Sequence, residues 1–132
     1  MKIRIPIEPV ATPRPRVARN GGVFYPAKYT QYKKDLAMLV RNNPTEPILG
    51  AVELKVIFYL QIPKSTSKKL TEKLNGSYHT KKPDTDNLIK GIKDEILEKK
   101  GYVKNDSQIA KEFIEKKWTS GEPSINIEIL EL

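Results

Sequence analysis

Lys82-Pro83-Asp84-Thr85-Asp86-Asn87-Leu88-Ile89-Lys90 is the stretch on which the reading of this chain turns. It sets two carboxylates two residues apart and a lysine four residues past the second. A further acid follows in Asn105-Asp106-Ser107-Gln108. Clustered carboxylates repel one another, so a cation has to offset that cost. A hard divalent ion such as Mg²⁺ takes oxygen ligands and keeps several of its waters. On a helical wheel at about 100° per residue, Leu88, Ile89, Ile92 and Ile96 share one arc, which predicts a buried face. Asp86, Lys90 and Asp94 fall on a separate arc at i, i+4 and i+8, a ladder of alternating charge along one edge.

On a continuous helix Asp84 would point about 160° away from Asp86. Pro83 favours a helix start just after it. If residues 84–86 are extended, the two carboxylates share one side and converge at the mouth of the helix. The partial positive charge there suits carboxylates and phosphate oxygens. The plainer alternative is ordinary helix capping, with Asp86–Lys90 a surface pair. Three features favour a site instead. Asn87, a mediocre helix former, follows the acids; Asp106 sits in a turn just beyond the helix; and the surrounding chain is basic.

The chain has 132 residues, which suits one domain spanning 1–132, and a formal net charge of +8. Residues 1–44 hold nine Lys/Arg against only Glu8 and Asp35, a net +7, while residues 45–132 come to +1. Such concentration is the electrostatic footprint expected of a nucleic-acid ligand, with solubility as the bland alternative. Pro9, Pro13, Pro15, Gly21 and Gly22 make residues 8–22 a loop, expected to be mobile without a ligand, and it carries Arg14, Arg16 and Arg19. There is no cysteine, which excludes disulfides and thiolate metal sites. No apolar run approaches the roughly 18 residues of a membrane helix, and the alternating Ile3, Ile5 and Ile7 differ from a signal peptide. The expectation is a cytoplasmic protein without a membrane partner.

The same alternation predicts a strand over 2–7, and Val23-Phe24-Tyr25 a short one. Tyr29, Tyr32, Leu36, Leu39 and Val40 mark one face of a helix that begins near Pro26. Residues 51–62 alternate most clearly, residues 67–74 suit a short helix, and a second main helix covers about 86–99 and ends near Gly101. Two closing strands, 109–118 and 124–130, flank a turn at 120–123. The adjacent pair Phe113-Ile114 breaks the alternation of the first. Phe113 and Trp118 are candidates for ordinary core or for a dimer surface. The fold class that follows is α+β: a single mixed β-sheet with two main helices packed on one face.

Lys-Pro-Asp-x-Asp-Asn-Leu-x-Lys at 82–90, Asp94 on the same helix and Asp-Ser-Gln-Ile at 106–109 resemble the RusA family of Holliday junction resolvases. Arg14-Pro15-Arg16, Gly22-x-x-Tyr25 and the helix after them are similar to that family as well. The resemblance implies a homodimeric endonuclease that uses Mg²⁺ or Mn²⁺ to nick two opposed strands of a four-way DNA junction. It implies metal ligation by Asp84, Asp86 and Asp106, with Lys90 as the fourth catalytic residue. Asn105 departs from the family, which often has a second acid there. Arg14, Arg16, Arg19, Lys81 and Lys82 are expected to contact phosphates, which positions DNA without reading its sequence. His79 is the only histidine, so a site built on two histidines is excluded. The competing readings are a nuclease for other branched DNA, such as flaps, and a catalytically silent DNA-binding module.

Reversing the charge of Arg14 and Arg16 to Glu is expected to weaken DNA binding. It should also flatten the salt dependence of binding, by about 0.9 in log–log slope for each phosphate that is no longer neutralised. A fluorescence-anisotropy titration across salt concentrations checks this; an unchanged slope removes the loop from the interface.

Overall fold

The longest buried strand organises the rest. In the computed structural model, which describes residues 1–132, β4 (Val52–Gln61) lies between β5 (Ile109–Thr119) and β6 (Ser124–Glu131). Its odd–even pattern explains why. Val52, Leu54, Val56, Phe58 and Leu60 are buried on one face, while Lys55, Ile57, Tyr59 and Gln61 on the other are half-buried. β4 pairs in parallel with β5 and antiparallel with β6. β1 (Lys2–Ile5) adds to the far side of β6, from Lys2 opposite Glu128 to Ile5 opposite Ile125. The sheet order is therefore β1-β6-β4-β5. The closing strands are consecutive in the chain, yet they do not pair, because β4 is inserted between them. Hairpin logic applied to 109–130 cannot see that insertion.

One face of this sheet carries the helices. α1 (Ala27–Leu39) supplies Tyr29, Tyr32 and Leu36, with Val40 just after it. The second main helix supplies Leu88, Ile89, Ile92, Ile96 and Leu97. These pack against Ile5 of β1, against Val52, Leu54, Val56 and Phe58 of β4, and against Ile125, Ile127 and Ile129 of β6. The wheel's buried face is thus the observed one. Leu39 is the exception at 48% exposed, because the helix ends there and Val40, already extended, turns into the core in its place. The short α2 (Lys68–Leu74) is capped by Ser67, whose hydroxyl accepts the Leu70 N–H at 3.2 Å, and buries no residue.

The second main helix is not uniform. An α-helical segment, α3 (Thr85–Ile92), widens into a single π turn at Lys93–Leu97. Single π turns of this kind are frequent at functional sites. The wider turn brings Leu97 to the same buried side as Ile92, and Gly101, with φ at 77°, ends the segment. Buried Glu95 inside it is compensated by Lys99 at 3.1 Å and by Lys33 of α1 at 3.6 Å. Gly91 lets α1 and α3 approach. A Cβ there would stand 3.3 Å from the Tyr29 hydroxyl and 3.5 Å from the Tyr32 ring.

The N-terminal basic loop is partly structured. Pro9 is buried, and the Thr12 N–H donates to the Asn87 carbonyl at 2.9 Å. The Thr12 hydroxyl is 2.8 Å from that of Tyr29. Beyond Pro13 the chain forms a small hairpin from β2 (Arg16–Val17) and β3 (Val23–Phe24). A tight turn between them uses Gly21 at φ 82°. The predicted loop over 8–22 is therefore corrected at Arg16 and Val17, which are ladder residues.

Gly91→Val is expected to destabilise the fold by about 1–3 kcal/mol, the usual cost of overpacking a close approach. A thermal melt should show a midpoint lower by several degrees; no change would mean that α1 and α3 can part freely.

Candidate active site

Pro83 and the extended backbone of Asp84 (φ −79°, ψ 150°) deliver the chain to the first turn of α3. Thr85 and Asp86 are already helical, so the expected extended run over 84–86 is confined to Asp84. The side-by-side convergence of Asp84 and Asp86 does not follow. Asp84 occupies the N-cap position, but its carboxylate makes no capping bond. Asp86 accepts the N–H of Asn87 at 2.9 Å. Ordinary capping therefore leaves the exposed Asp84 carboxylate unused.

Asp86 faces a cleft of about 390 Å³ between the second main helix and β5. Its walls are Thr85, Asp86, Ile89, Lys90, Lys93 and Asp94 from the helix side, Asp106 from the turn, and Glu112 and Ile114 from the strand. Asp86, Lys90 and Asp106 are thus brought together from distant positions in the sequence, and the turn does reach back to the helix. Asp84 is not part of the wall. Sequence reasoning gave no role to Lys93 or Glu112, which form an ion pair across the cleft. The missed signal is strand alternation read in the right phase. Glu112, Ile114, Lys116 and Trp118 share the helix-facing side of β5, while Phe113 and Glu115 line a groove on the opposite face. The pair Phe113-Ile114 is not a break. It is where an edge strand carries an apolar residue on each face.

Asp106 opens a 3₁₀ turn over Asp106–Gln108. Asn105 caps it: its side-chain oxygen accepts the Ser107 N–H at 2.8 Å. The Gln108 side chain reciprocates by accepting the N–H groups of Lys104 and Asn105, both at 2.9 Å, a capping box. Its amide also donates to the carbonyls of Ile48 and Gly50. The family departure at Asn105 therefore has a structural job, which is to set the turn that presents Asp106. The Asp106 Oδ1 atom is buried without a hydrogen-bond partner. Burial pushes its carboxyl above the ordinary range, the negative charges of Glu98 and Asp94 add to this, and Lys93 opposes it.

Lys90 lies 3.3 Å from Asp94. The hydrogen bond and charge of Asp94 raise its ammonium above the usual lysine value. It is therefore a fixed cation at neutral pH and unsuited to act as a base. Two lysines thus balance the cleft acids Asp94 and Glu112, while Asp86 and Asp106 lack a cationic partner within 4.0 Å. The donors present are carboxylate oxygens, the chain has no cysteine, and this set suits a hard divalent cation. The unpartnered oxygen of Asp106 fits the same ion. No three acids are yet gathered closely enough to hold it as they stand.

Arg14, Arg16, Arg19, Lys81 and Lys82 are all exposed, and none is spent in an ion pair. The bond from Thr12 to Asn87 ties the base of the arginine-bearing hairpin to the first turn of α3. His79 belongs to the segment before the motif but is buried, with its ring 4.0 Å from that of Trp118. Burial and the charge of Lys116 lower its pKa. Trp118 is consequently neither core nor free surface, and Phe113, half exposed, is not core.

The molecule thus combines an acid-lined cleft on a mixed sheet with exposed arginines and lysines, an arrangement that a nuclease can use. The chain matches the family Endodeoxyribonuclease RusA over residues 6–130, and it belongs to that family. It is also 38% identical, over 95% of its own length and 92% of the relative's, to the uncharacterized protein YqaN of Bacillus subtilis (strain 168). No helix is long and apolar enough to cross a membrane.

The raised pKa of Asp106 has a stability consequence with a definite sign. The folded state holds this proton to higher pH than the unfolded chain. The cost of ionising Asp106 is therefore absent below the ordinary aspartate pKa of about 4. It grows as pH rises through the raised folded value and persists above it. Asp106→Asn is expected to melt above the unmodified protein at pH 7 in chelator, with the difference closing toward about pH 4. Melting below the unmodified protein at pH 7 would contradict this reading of Asp106 as a carboxylate that burial penalises when charged.

Proposed function

We propose that this chain is a Mg²⁺- or Mn²⁺-dependent endodeoxyribonuclease that resolves four-way DNA junctions by paired nicking, in recombination and repair. The observation that carries the reading is the cleft itself. Asp86 and Asp106, far apart in sequence, face one space from which Lys90 also projects, in a chain of this family. Asp86 and Asp106 would hold the cation, and Asp84 would complete the set. When bound, the ion supplies an activated water and charge neutralisation at the phosphate.

The chain's own residues divide the remaining work. Lys90, a permanent cation held by Asp94, would stabilise negative charge that grows on the phosphate oxygens as water attacks phosphorus and a P–O bond breaks. Lys93, paired with Glu112, would keep the carboxylate on the strand side of the cleft neutralised. Arg14, Arg16 and Arg19 would grip the phosphate backbone beside the helix mouth, and Lys81 and Lys82 would do so next to Asp84. A four-way junction can adopt two-fold symmetry, so a homodimer would present two equivalent sites to it. The helix-free face of the sheet suits a second copy. It holds a groove of about 620 Å³ lined by Phe113 and by charges of both signs, including Lys2, Arg4, Lys55, Glu115 and Glu128.

A synthetic four-way junction with Mg²⁺, and with Ca²⁺ as a control, tests this beside flap and linear duplex substrates. Symmetric paired nicks confined to the junction are expected. Asp86→Asn and Lys90→Ala should lower nicking by about 100-fold or more, the usual cost of losing one electrostatic stabiliser, with junction affinity nearly intact. Preferential cutting of flaps would move the substrate class. Binding without nicking in any metal would favour a silent DNA-binding module.

A further inference from the structure

Lys116 is a lysine beside an acidic cleft that pairs with no acid. It lies on the helix-facing side of β5, two residues past Ile114 of the cleft wall. Its ammonium instead donates to two backbone carbonyls, those of Lys81 at 2.6 Å and Pro83 at 2.7 Å. These carbonyls bracket the Lys82-Pro83 bond and end one residue short of Asp84. An ammonium has three donors, so two are committed to this one segment. A lysine meant only for DNA phosphates would keep its donors free, as Lys81 and Lys82 do.

The surrounding bonds show why this attachment matters. Residues 76–79 run along the outer edge of β5. The Gly76 N–H donates to the Trp118 carbonyl, the Trp118 N–H to the Ser77 carbonyl, and the His79 N–H to the Lys116 carbonyl, all at 2.9 Å. The backbone ladder stops there. Beyond it, the His79 Nδ1 accepts the Lys81 N–H at a long 3.3 Å, with the ring held against Trp118. The next backbone bond along the chain is from the Leu88 N–H to the Asp84 carbonyl, inside the helix. Across this gap the two charge-assisted bonds from Lys116 are the strongest attachment. They carry strand order from β5 to the start of α3.

We propose that Lys116 is a positioning residue: its ammonium latches the Lys81–Pro83 segment to β5, and so fixes where Asp84 stands outside the cleft and how Asp86 enters it. The inference rests on the proposed reading of those two acids, together with Asp106, as the cation ligands. It adds to that site a residue that touches neither metal nor substrate and acts through the backbone before the motif.

The test uses Lys116→Met, which keeps the apolar stem, and Lys116→Arg, which keeps a cationic donor. Amide hydrogen exchange at His79, Lys81 and Leu88, whose N–H groups are hydrogen-bonded within and on either side of the segment, is measured without metal or DNA. The Met variant should exchange about tenfold faster, as expected when two bonds holding one segment are removed. The Arg variant should recover much of the protection, and both should melt within a few degrees of the unmodified protein. Direct Mn²⁺ binding, followed by the electron spin resonance of the free ion, should weaken in the Met variant, and the Mn²⁺ concentration for half-maximal nicking should rise in step. Unchanged exchange in a folded Met variant overturns the latch. A defect confined to junction affinity and its salt slope overturns it too, and would make Lys116 a phosphate ligand. If the Met variant does not fold, exchange in the Arg variant equal to that of a freely exposed segment has the same meaning. Should the unmodified protein nick no branched DNA, the functional reading fails, while the exchange comparison still decides the latch.

Discussion

The parallel pairing of β4 with β5 is the constraint on which the rest depends. Two parallel strands cannot be joined by a tight turn; the chain must travel back along the sheet before the second begins. Here that return path is residues 62–108, and it contains the whole acidic motif. α3 and its π turn lie over the sheet because the crossover must cover apolar residues of β4. The turn at Asp106 lies beside the helix because β5 has to start level with Val52. The cleft is thus a by-product of closing the crossover, and its acidic walls are the helix of the return path, the turn that ends it and β5 with Glu112.

Charge in that cleft is arranged as an incomplete balance. Lys90 and Lys93 satisfy Asp94 and Glu112, whereas Asp106 keeps a buried, unpartnered oxygen and a raised pKa. A carboxylate oxygen held away from water without a partner is costly, and carboxylates with shifted pKa values cluster at functional sites. The contrast with Glu95 is instructive. It is more deeply buried but is met by Lys33 and Lys99, so it is settled as structure. Asp106 is not, and it belongs to a chain of an endodeoxyribonuclease family.

The basic N-terminal third is coupled to this cleft through bonds and packing. The Thr12 bond to Asn87 and the packing of Tyr29 beside Gly91 attach the hairpin's base to the first turns of α3. Phosphates gripped by Arg14, Arg16 and Arg19 would accordingly be referred to the helix that carries Asp86 and Lys90. Association driven by phosphate neutralisation is long-ranged and salt-sensitive, while the chemistry needs placement within a bond length or so. The Thr12 and Tyr29 contacts between the two regions would serve both.

The sequence by itself determined the elements and the chemistry on offer. Period-two alternation announced β4 and β6, the wheel announced the buried side of α3, and the motif from Lys82 to Lys90 with Asp106 announced the acids and their family. These are local properties: side-chain direction follows from backbone period, and a motif's chemistry from its residues. Tertiary structure alone decided that β4 separates β5 from β6, and that Asp84 stands outside the cleft while Glu112 and Lys93 stand in it. It also decided that Phe113 faces away from the helices and that Lys116 bonds to the chain before Asp84. Each of these depends on which strand lies beside which and in what register, and register is set by burial across the whole sheet. No window of sequence contains both partners of such a pairing, so the phase of an edge strand like β5 becomes readable only once its neighbours are in place.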